Sequence, residues 1–334
     1  MRAHPRTMTA VGGIAVLLLA GACSSDDDSG SAGGGGVDQV VYMTNFGMLG
    51  RDAYAICAED QGFFADRDIE LDIQSGSGTE ENLALLISGQ VDFTPTDLVG
   101  ATIAAGDGVE GFKAVAAIQQ NNLSAWMSVD PDIQSPRDLE GRTIGLPTGA
   151  VTELLFPTYA ELAGIDLDEV EIEAVAAADL GPALGGGSVD AIGQFVVGQP
   201  TISLAAQGAE VNVFPYTDYV TDLYGVALNA ATSTIEENPD LVERFRDALL
   251  EGLEWSLANP EECGQIFGEF DESVNPDLAV GELELMVPYA QVGDAELGSF
   301  DRQRVAQMIA TLEAAGAVPP GVTPEDLVDF DMAP

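Results

Sequence analysis

The chain has 334 residues, of which 46% are hydrophobic and 20% charged, enough apolar sequence to bury a sizeable core in one large or two medium domains. Fifty-six acidic residues against eleven basic ones give a formal charge of -45, a field that repels phosphate backbones and argues against nucleic acid as a partner. Among the basic residues only Lys113 is a lysine, and the acidity reads as a solvated, self-repelling surface suited to an exported protein.

Arg2 and Arg6 precede an apolar run from Ala10 to Ala22, too short to span a bilayer as a mature helix and patterned as a signal peptide over residues 1–22. The run ends in Leu19-Ala20-Gly21-Ala22-Cys23, similar to a bacterial lipobox, where small residues precede a cysteine that is diacylated. Ala20 stands where leucine is usual, and Ala20-x-Ala22 also suits ordinary signal peptidase. Residues 23–36 are then a lipidated cysteine and a tether of Ser, Asp, Gly and Ala, spanning about 20 Å by random-coil scaling. The expectation is a chain anchored by lipid to the outer face of the cell membrane.

After the tether, short apolar runs alternate with amphipathic stretches, which predicts an α/β fold with mixed, mostly parallel sheets. Val40 to Met43 is a predicted strand, followed by a loop through Asn45, Phe46 and Gly50. Ala53 to Phe64 has helical spacing, Ile69 to Ile73 alternates as a strand, Ser75 to Thr79 turns, and Glu80 to Ile87 is helical. Val91-Asp92-Phe93 is a strand that leads through Thr94-Pro95-Thr96-Asp97 into a helix, and Phe112 to Ile118 is a fourth strand. A second unit begins after Trp126, with strands at Thr143 to Leu146, Val170 to Val175, Asp190 to Ile192 and Val211 to Phe214, and a helix from Gly149 to Ala163. Gly225 to Leu228 returns to the first unit, and helices follow from Asn238 onward, where Asn238-Pro239 and Asn259-Pro260 mark helix starts. The predicted domains are residues 37–126 with 226–334 as a discontinuous first lobe and 127–225 as a second, joined by two hinge crossovers.

Cys57 and Cys263 would share an oxidising compartment, either as small buried residues or as a disulfide; spacing alone leaves both open. His4 is the only histidine and falls in the signal peptide, so the exported chain lacks the commonest general base and metal ligand. No catalytic residue, metal or cofactor is predicted. The run Gly185-Gly186-Gly187 lacks the lysine and spacing of a phosphate loop.

Four separated segments resemble one family in its own order: Glu59-Asp60-Gln61-Gly62-Phe63-Phe64, Ile87-Ser88-Gly89-Gln90-Val91-Asp92-Phe93, Asp138-Leu139-Glu140-Gly141-Arg142-Thr143-Ile144-Gly145 and Glu237-Asn238-Pro239-Asp240-Leu241-Val242. They are similar to the solute-binding proteins of ABC importers, in the branch that takes up sulfonates, nitrate and the pyrimidine precursor of thiamine. The resemblance runs from about Val37 to Gly268. It implies a two-lobed periplasmic-binding-protein type II fold, a small-molecule ligand held between the lobes, an ABC permease and ATPase as partners, and a monomer. Thr44-Asn45-Phe46-Gly47 lacks the Pro-Asn and histidine pattern of the thiamine-precursor binders, so their ligand does not carry over.

Loops after strands lead into helix N-termini with unpaired N–H groups, which is where open α/β sheets bind ligands. That rule and the family position of such loops nominate Asn45, Phe46, Arg51, Thr96, Asp97 and Asn121 in the first lobe, and Gly149, Ala150, Gln194, Phe195, Tyr216 and Tyr224 around the second. Thr96 and Asp97 serve equally as N-caps, and Tyr216 and Tyr224 equally as buried tyrosines with one hydroxyl partner. Arg51 is the one basic residue near these loops, a shortage that argues against a highly charged anion. Stacking rings with Gln, Asn and Asp groups suit a neutral or weakly basic nitrogen heterocycle, pyrimidine-like or similar. The alternatives are a sulfonate- or nitrate-type anion binder and a sensory or scaffold lipoprotein without an importer. A fungal enzyme of thiamine pyrimidine synthesis shares the resemblance, but its chemistry uses histidine and a cysteine-rich iron site that this chain lacks.

Overall fold

A computed structural model of the chain describes residues 36–148 and 150–334; the signal peptide, Cys23, the tether to Gly35 and the nominated Gly149 lie outside them. Twelve strands run through the described residues: β1 Asp38–Met43, β2 Phe46–Gly47, β3 Ile69–Gln74, β4 Gly76–Ser77, β5 Phe93–Asp97, β6 Phe112–Ala117, β7 Ser124–Ser128, β8 Thr143–Leu146, β9 Glu171–Ala174, β10 Ala191–Phe195, β11 Asn212–Pro215 and β12 Val226–Ala231. They form one sheet in the order β3-β1-β5-β12-β6, a second in the order β11-β7-β10-β8-β9, and a two-stranded ribbon of β2 and β4.

The burial of each strand follows from its place. β3 lies at an edge, and Ile69, Leu71 and Ile73 turn inward while Glu70 and Gln74 face water. β5 and β12 lie inside the sheet and are buried along their whole length. Both large sheets are mixed. β1 runs parallel to β3 and β5, and β8 runs parallel to β9 and β10. β7 and β12, the strands that follow each passage from one sheet to the other, are antiparallel to both of their neighbours. The chain makes the first passage between β6 and β7 and the second between β11 and β12. Trp126, where the sequence reading ends its first segment, lies in the middle of β7 within the second sheet.

β7 was not expected as a strand. Ser124-Ala125-Trp126-Met127-Ser128 is buried on both faces, so it shows no alternation, and only its tryptophan favours strands. The ribbon of β2 and β4 is too short to show a period. It forms because Gly76 lies against the chain at Thr44, where a Cβ would stand 1.8 Å from the Thr44 carbonyl oxygen. The helix expected over 149–163 is two helices, Val151–Leu154 and Phe156–Ala163, parted at Leu155 because Pro157 has no N–H to continue the ladder.

Helices begin at Pro239 and Pro260, as the two Asn-Pro pairs predict. Asn238 accepts from Leu241 N ahead of the helix Pro239–Ala258, and Asn275 accepts from Asp277 N ahead of Pro276–Ala290. Pro239–Ala258 covers the first sheet through Phe245, whose ring stacks on Phe93 at 3.9 Å between centroids and tilts against Phe64 and Tyr42. The helix Ala53–Asp60 packs on it at Gly252, where a Cβ would come within 2.3 Å of the Ala58 Cβ. Gly252→Leu is therefore expected to destabilise the chain by about 3 kcal/mol or more, read from urea unfolding. Cys57 and Cys263 form a disulfide across a sequence separation of 206, tying Ala53–Asp60 to the helix Pro260–Phe270.

Candidate ligand-binding site

The C-terminal ends of β1, β3 and β5 converge on one edge of the first sheet, and a buried polar network fixes the loop that follows β1. Asn82, fully buried in the helix Thr79–Ile87, donates from Nδ2 to the carbonyls of Thr44 and Asn45 and to Thr94 Oγ1 at 2.9, 3.0 and 3.0 Å. Its Oδ1 accepts from Ser77 N at 3.0 Å. Its amide nitrogen and oxygen are both engaged by backbone and side chains that carry the loop, which holds Asn45 inside and leaves Phe46 53% exposed.

Beyond this loop the chain buries one arginine among three carboxylates. The Arg51 side chain is 11% exposed, and its Nε lies 3.9 Å from the Asp52 carboxylate. Its backbone N–H donates to Glu282 Oε2 at 3.0 Å, and its guanidinium sits 5.4 Å from the centre of the Phe195 ring, reached from the second sheet. Asp97 ends β5 and caps the next helix, accepting from Val99 N and Gly100 N. Burial pushes the Asp52 carboxyl up to about 7 and the Asp97 carboxyl up to about 6, in each case against the lowering pull of Arg51 and of backbone N–H groups. Burial also raises Glu282, again opposed by Arg51. Asp52 Oδ2 is buried with no hydrogen-bond partner among the described residues. The site thus sets one buried cation among three carboxyls that burial pushes toward their protonated form.

This arrangement has a pH signature. Asp52 and Asp97 hold their protons more tightly in the folded chain than at the ordinary carboxyl value near 4, so the folded state carries the extra protons. Their contribution to stability is complete below about pH 4 and is lost as pH rises through about 6 to 7. Asp52→Asn is expected to recover roughly 2–4 kcal/mol at pH 8 relative to pH 4.5, read as a flatter profile of thermal stability against pH.

In the second sheet, Gln194 and Phe195 end β10, and Gln194 Oε1 accepts from Phe195 N at 2.8 Å. Phe195 is half-buried and packs, with Val197, against the core of the first sheet. Ala150 precedes the helix Val151–Leu154, and its carbonyl accepts from Glu153 N and Leu154 N. Tyr216 is fully buried, donates from its hydroxyl to Thr152 O at 2.7 Å and stacks on Tyr159 at 4.4 Å. Thr96 is also fully buried and accepts from Asn229 Nδ2 at 3.0 Å inside the sheet. Asn121 and Tyr224 lie together on the two passages between the sheets, both in contact with Arg304. The structure therefore brings Asn45, Arg51, Asp97 and Phe195 near Asp52, leaves Phe46 exposed on the β2–β4 ribbon, and places Thr96, Tyr216, Asn121 and Tyr224 elsewhere, each with partners of its own.

Asp52 and Glu282 were not nominated. Glu282 had a legible signal, because it falls on the stripe of Ala279, Leu283, Met286 and Ala290 that its helix turns to the core, where a carboxylate needs a partner. Asp52 had none, since an acid beside an arginine ordinarily reads as a surface pair.

A family model described as NMT1/THI5 like matches residues 52–263. The chain is 22% identical over 274 residues to the formylaminopyrimidine-binding protein of Halalkalibacterium halodurans, covering 80% of this chain and 83% of that one. It is 27% identical over 244 residues to the riboflavin-binding protein RibY of Chloroflexus aurantiacus, covering 72% of this chain and 64% of that one. Among solved structures, the periplasmic aliphatic sulphonate binding protein SsuA from Escherichia coli has the same fold, with a TM-score of 0.70 at 15% identity over 87% of this chain and 97% of that one.

Proposed function

The chain belongs to the NMT1/THI5-like family, and from that premise we propose that it is the solute-binding lipoprotein of an ABC importer, exported and anchored through Cys23. It captures a small, neutral or weakly basic nitrogen heterocycle between its two lobes and hands it to the permease; it catalyses no reaction. The named relatives support a binding role, one for a formylaminopyrimidine and one for riboflavin, both nitrogen heterocycles.

The observation that carries the ligand class is the state of Arg51. An oxyanion needs a cation with charge to spare; this one is buried with its Nε 3.9 Å from Asp52, its backbone N–H is bonded to Glu282, and its charge lowers Asp97 and Glu282 as well. Buried carboxyls with raised pKa values favour a ligand that presents N–H donors, and Phe46 and Phe195 offer ring faces to a flat one. Thermal unfolding against formylaminopyrimidine, riboflavin, nucleobases, alkanesulfonates and nitrate tests this. A heterocycle at a hundred times its dissociation constant is expected to stabilise the chain by about 2.7 kcal/mol, and alkanesulfonates and nitrate are expected to do nothing. Stabilisation by sulfonates alone would reverse the assignment. Mass spectrometry of the membrane-extracted protein, expected to find a diacylglyceryl group on Cys23, tests the anchor.

A further inference from the structure

The two passages between the sheets are bonded to each other and to residues from the C-terminal part of the chain. Gly225 N donates to Gln119 O at 3.0 Å, Asn122 N donates to Leu223 O at 3.2 Å, and Asn122 Nδ2 donates to Tyr224 O at 3.1 Å. The approach is tight, since a Cβ on Gly225 would stand 2.6 Å from Asn121 O. Onto this pair comes Arg304, from the helix Arg302–Ala314. Its Nη2 donates to Asn121 Oδ1 on the first passage at 2.8 Å and to Leu223 O on the second at 3.0 Å. Its guanidinium also lies 4.4 Å from the centre of the Tyr224 ring.

Neighbouring bonds repeat the pattern. Asp301 N donates to the Tyr224 hydroxyl at 2.8 Å, and Thr311 Oγ1 donates to Asp222 Oδ2 at 2.5 Å. On the first passage, Gln120 Nε2 donates to Glu296 O at 2.7 Å and Gln120 Oε1 accepts from Val292 N at 2.8 Å. All of the partners from Val292 to Thr311 lie beyond residue 263, where the family match ends.

We propose that Arg304 is a positioning residue that fixes the hinge: by bonding both passages at once, it sets the angle between the lobes and the ease with which they close. When two lobes close, each connecting segment absorbs the backbone rotation, and the segments turn relative to each other. Both bonds leave one guanidinium nitrogen, whose two N–H directions are fixed in the plane of the group that also lies over Tyr224, so they oppose that turn, whereas a freely rotating ammonium would follow it. Binding affinity would then depend on Arg304 through the population of the closed form, although Arg304 touches no ligand. The inference rests on the two-lobed capture proposed above.

Pulsed electron-electron resonance on the unliganded chain tests it, with labels on Gln90→Cys in the first lobe and Glu161→Cys in the second. Cys23→Ser and the native disulfide leave these two as the reactive thiols. Arg304→Gln is expected to broaden the interlobe distance distribution by about twofold, and Arg302→Gln, two residues away on the same helix, is expected to leave it unchanged. A distribution for Arg304→Gln that superimposes on the parent, or equal broadening by both variants, would overturn the proposal. Should Arg304→Gln fail to fold, Asn121→Ala removes one of its two anchors; broadening then supports the proposal and an unchanged distribution overturns it. Because no ligand enters the measurement, its result stands apart from whether a heterocycle or another solute is bound.

Discussion

Replacing Arg51 with leucine is expected to destabilise the chain by about 3 kcal/mol at pH 8 and by much less at pH 5. At the higher pH the change removes the cation that now lowers all three of Asp52, Glu282 and Asp97, so each buried carboxyl must either stay ionised without it or take up a proton against the pH, and both are costly. At the lower pH Asp52 and Asp97, raised to about 7 and about 6, are protonated, and a neutral carboxyl tolerates the interior far better than an ionised one. Arg137→Leu, a change at an exposed arginine, controls for the general loss of positive charge from a strongly acidic protein. Were Arg51 a receptor for anions with its charge uncommitted, its removal would leave stability at pH 8 close to that of Arg137→Leu. Urea unfolding of the three proteins at the two pH values distinguishes these accounts.

Loss of the Cys57–Cys263 disulfide is the other change of large expected effect. The bridge joins positions 206 apart in sequence, so it restricts a large part of the unfolded chain, and the cost of losing it is expected at about 2–5 kcal/mol. It also ties Ala53–Asp60, which follows directly from Arg51 and Asp52, to Pro260–Phe270, next to the helix that carries Glu282. Cys57→Ala with Cys263→Ala, or reduction with dithiothreitol, is expected to lower the urea midpoint and to loosen the acidic cluster together with it. Equal midpoints for oxidised and reduced protein would show that the bridge carries no stability.

Much of the architecture was legible because apolar runs and helix caps are local. Val40 to Met43, Ile69 to Ile73 and Thr143 to Leu146 announce themselves by β-branched residues and alternation, and Asn238-Pro239 announces a cap. β7 did not, since burial on both faces erases alternation and its composition is Ser, Ala, Trp and Met. The site was legible in part for a related reason. Loops after strands can be nominated by position, which named Arg51, Asp97 and Phe195, the residues that the fold then brings near one another. Whether a nominated residue faces a cleft or the core turns on a single step of the strand. Thr96 points inward to Asn229 while Asp97, one residue on, caps a helix at the sheet edge. Glu282 is 231 residues from Arg51, and only the tertiary fold brings the two together.

On the proposed reading, the Arg51 cluster is what would suit a chain with the fold of a sulfonate-binding protein to a different solute. The scaffold supplies strand ends and helix N-termini, which accept many ligands, and the side chains set on them decide the charge that fits. Here those side chains leave a surplus of carboxyl groups and two rings.

Isothermal titration of the chain with formylaminopyrimidine and, separately, with an alkanesulfonate, both at pH 7.5, tests that conclusion most directly. The account predicts saturable one-to-one binding of the pyrimidine, weakened in Phe195→Ala, and no heat from the sulfonate. Saturable sulfonate binding that disappears in Arg51→Leu, with no response to the pyrimidine, would contradict it.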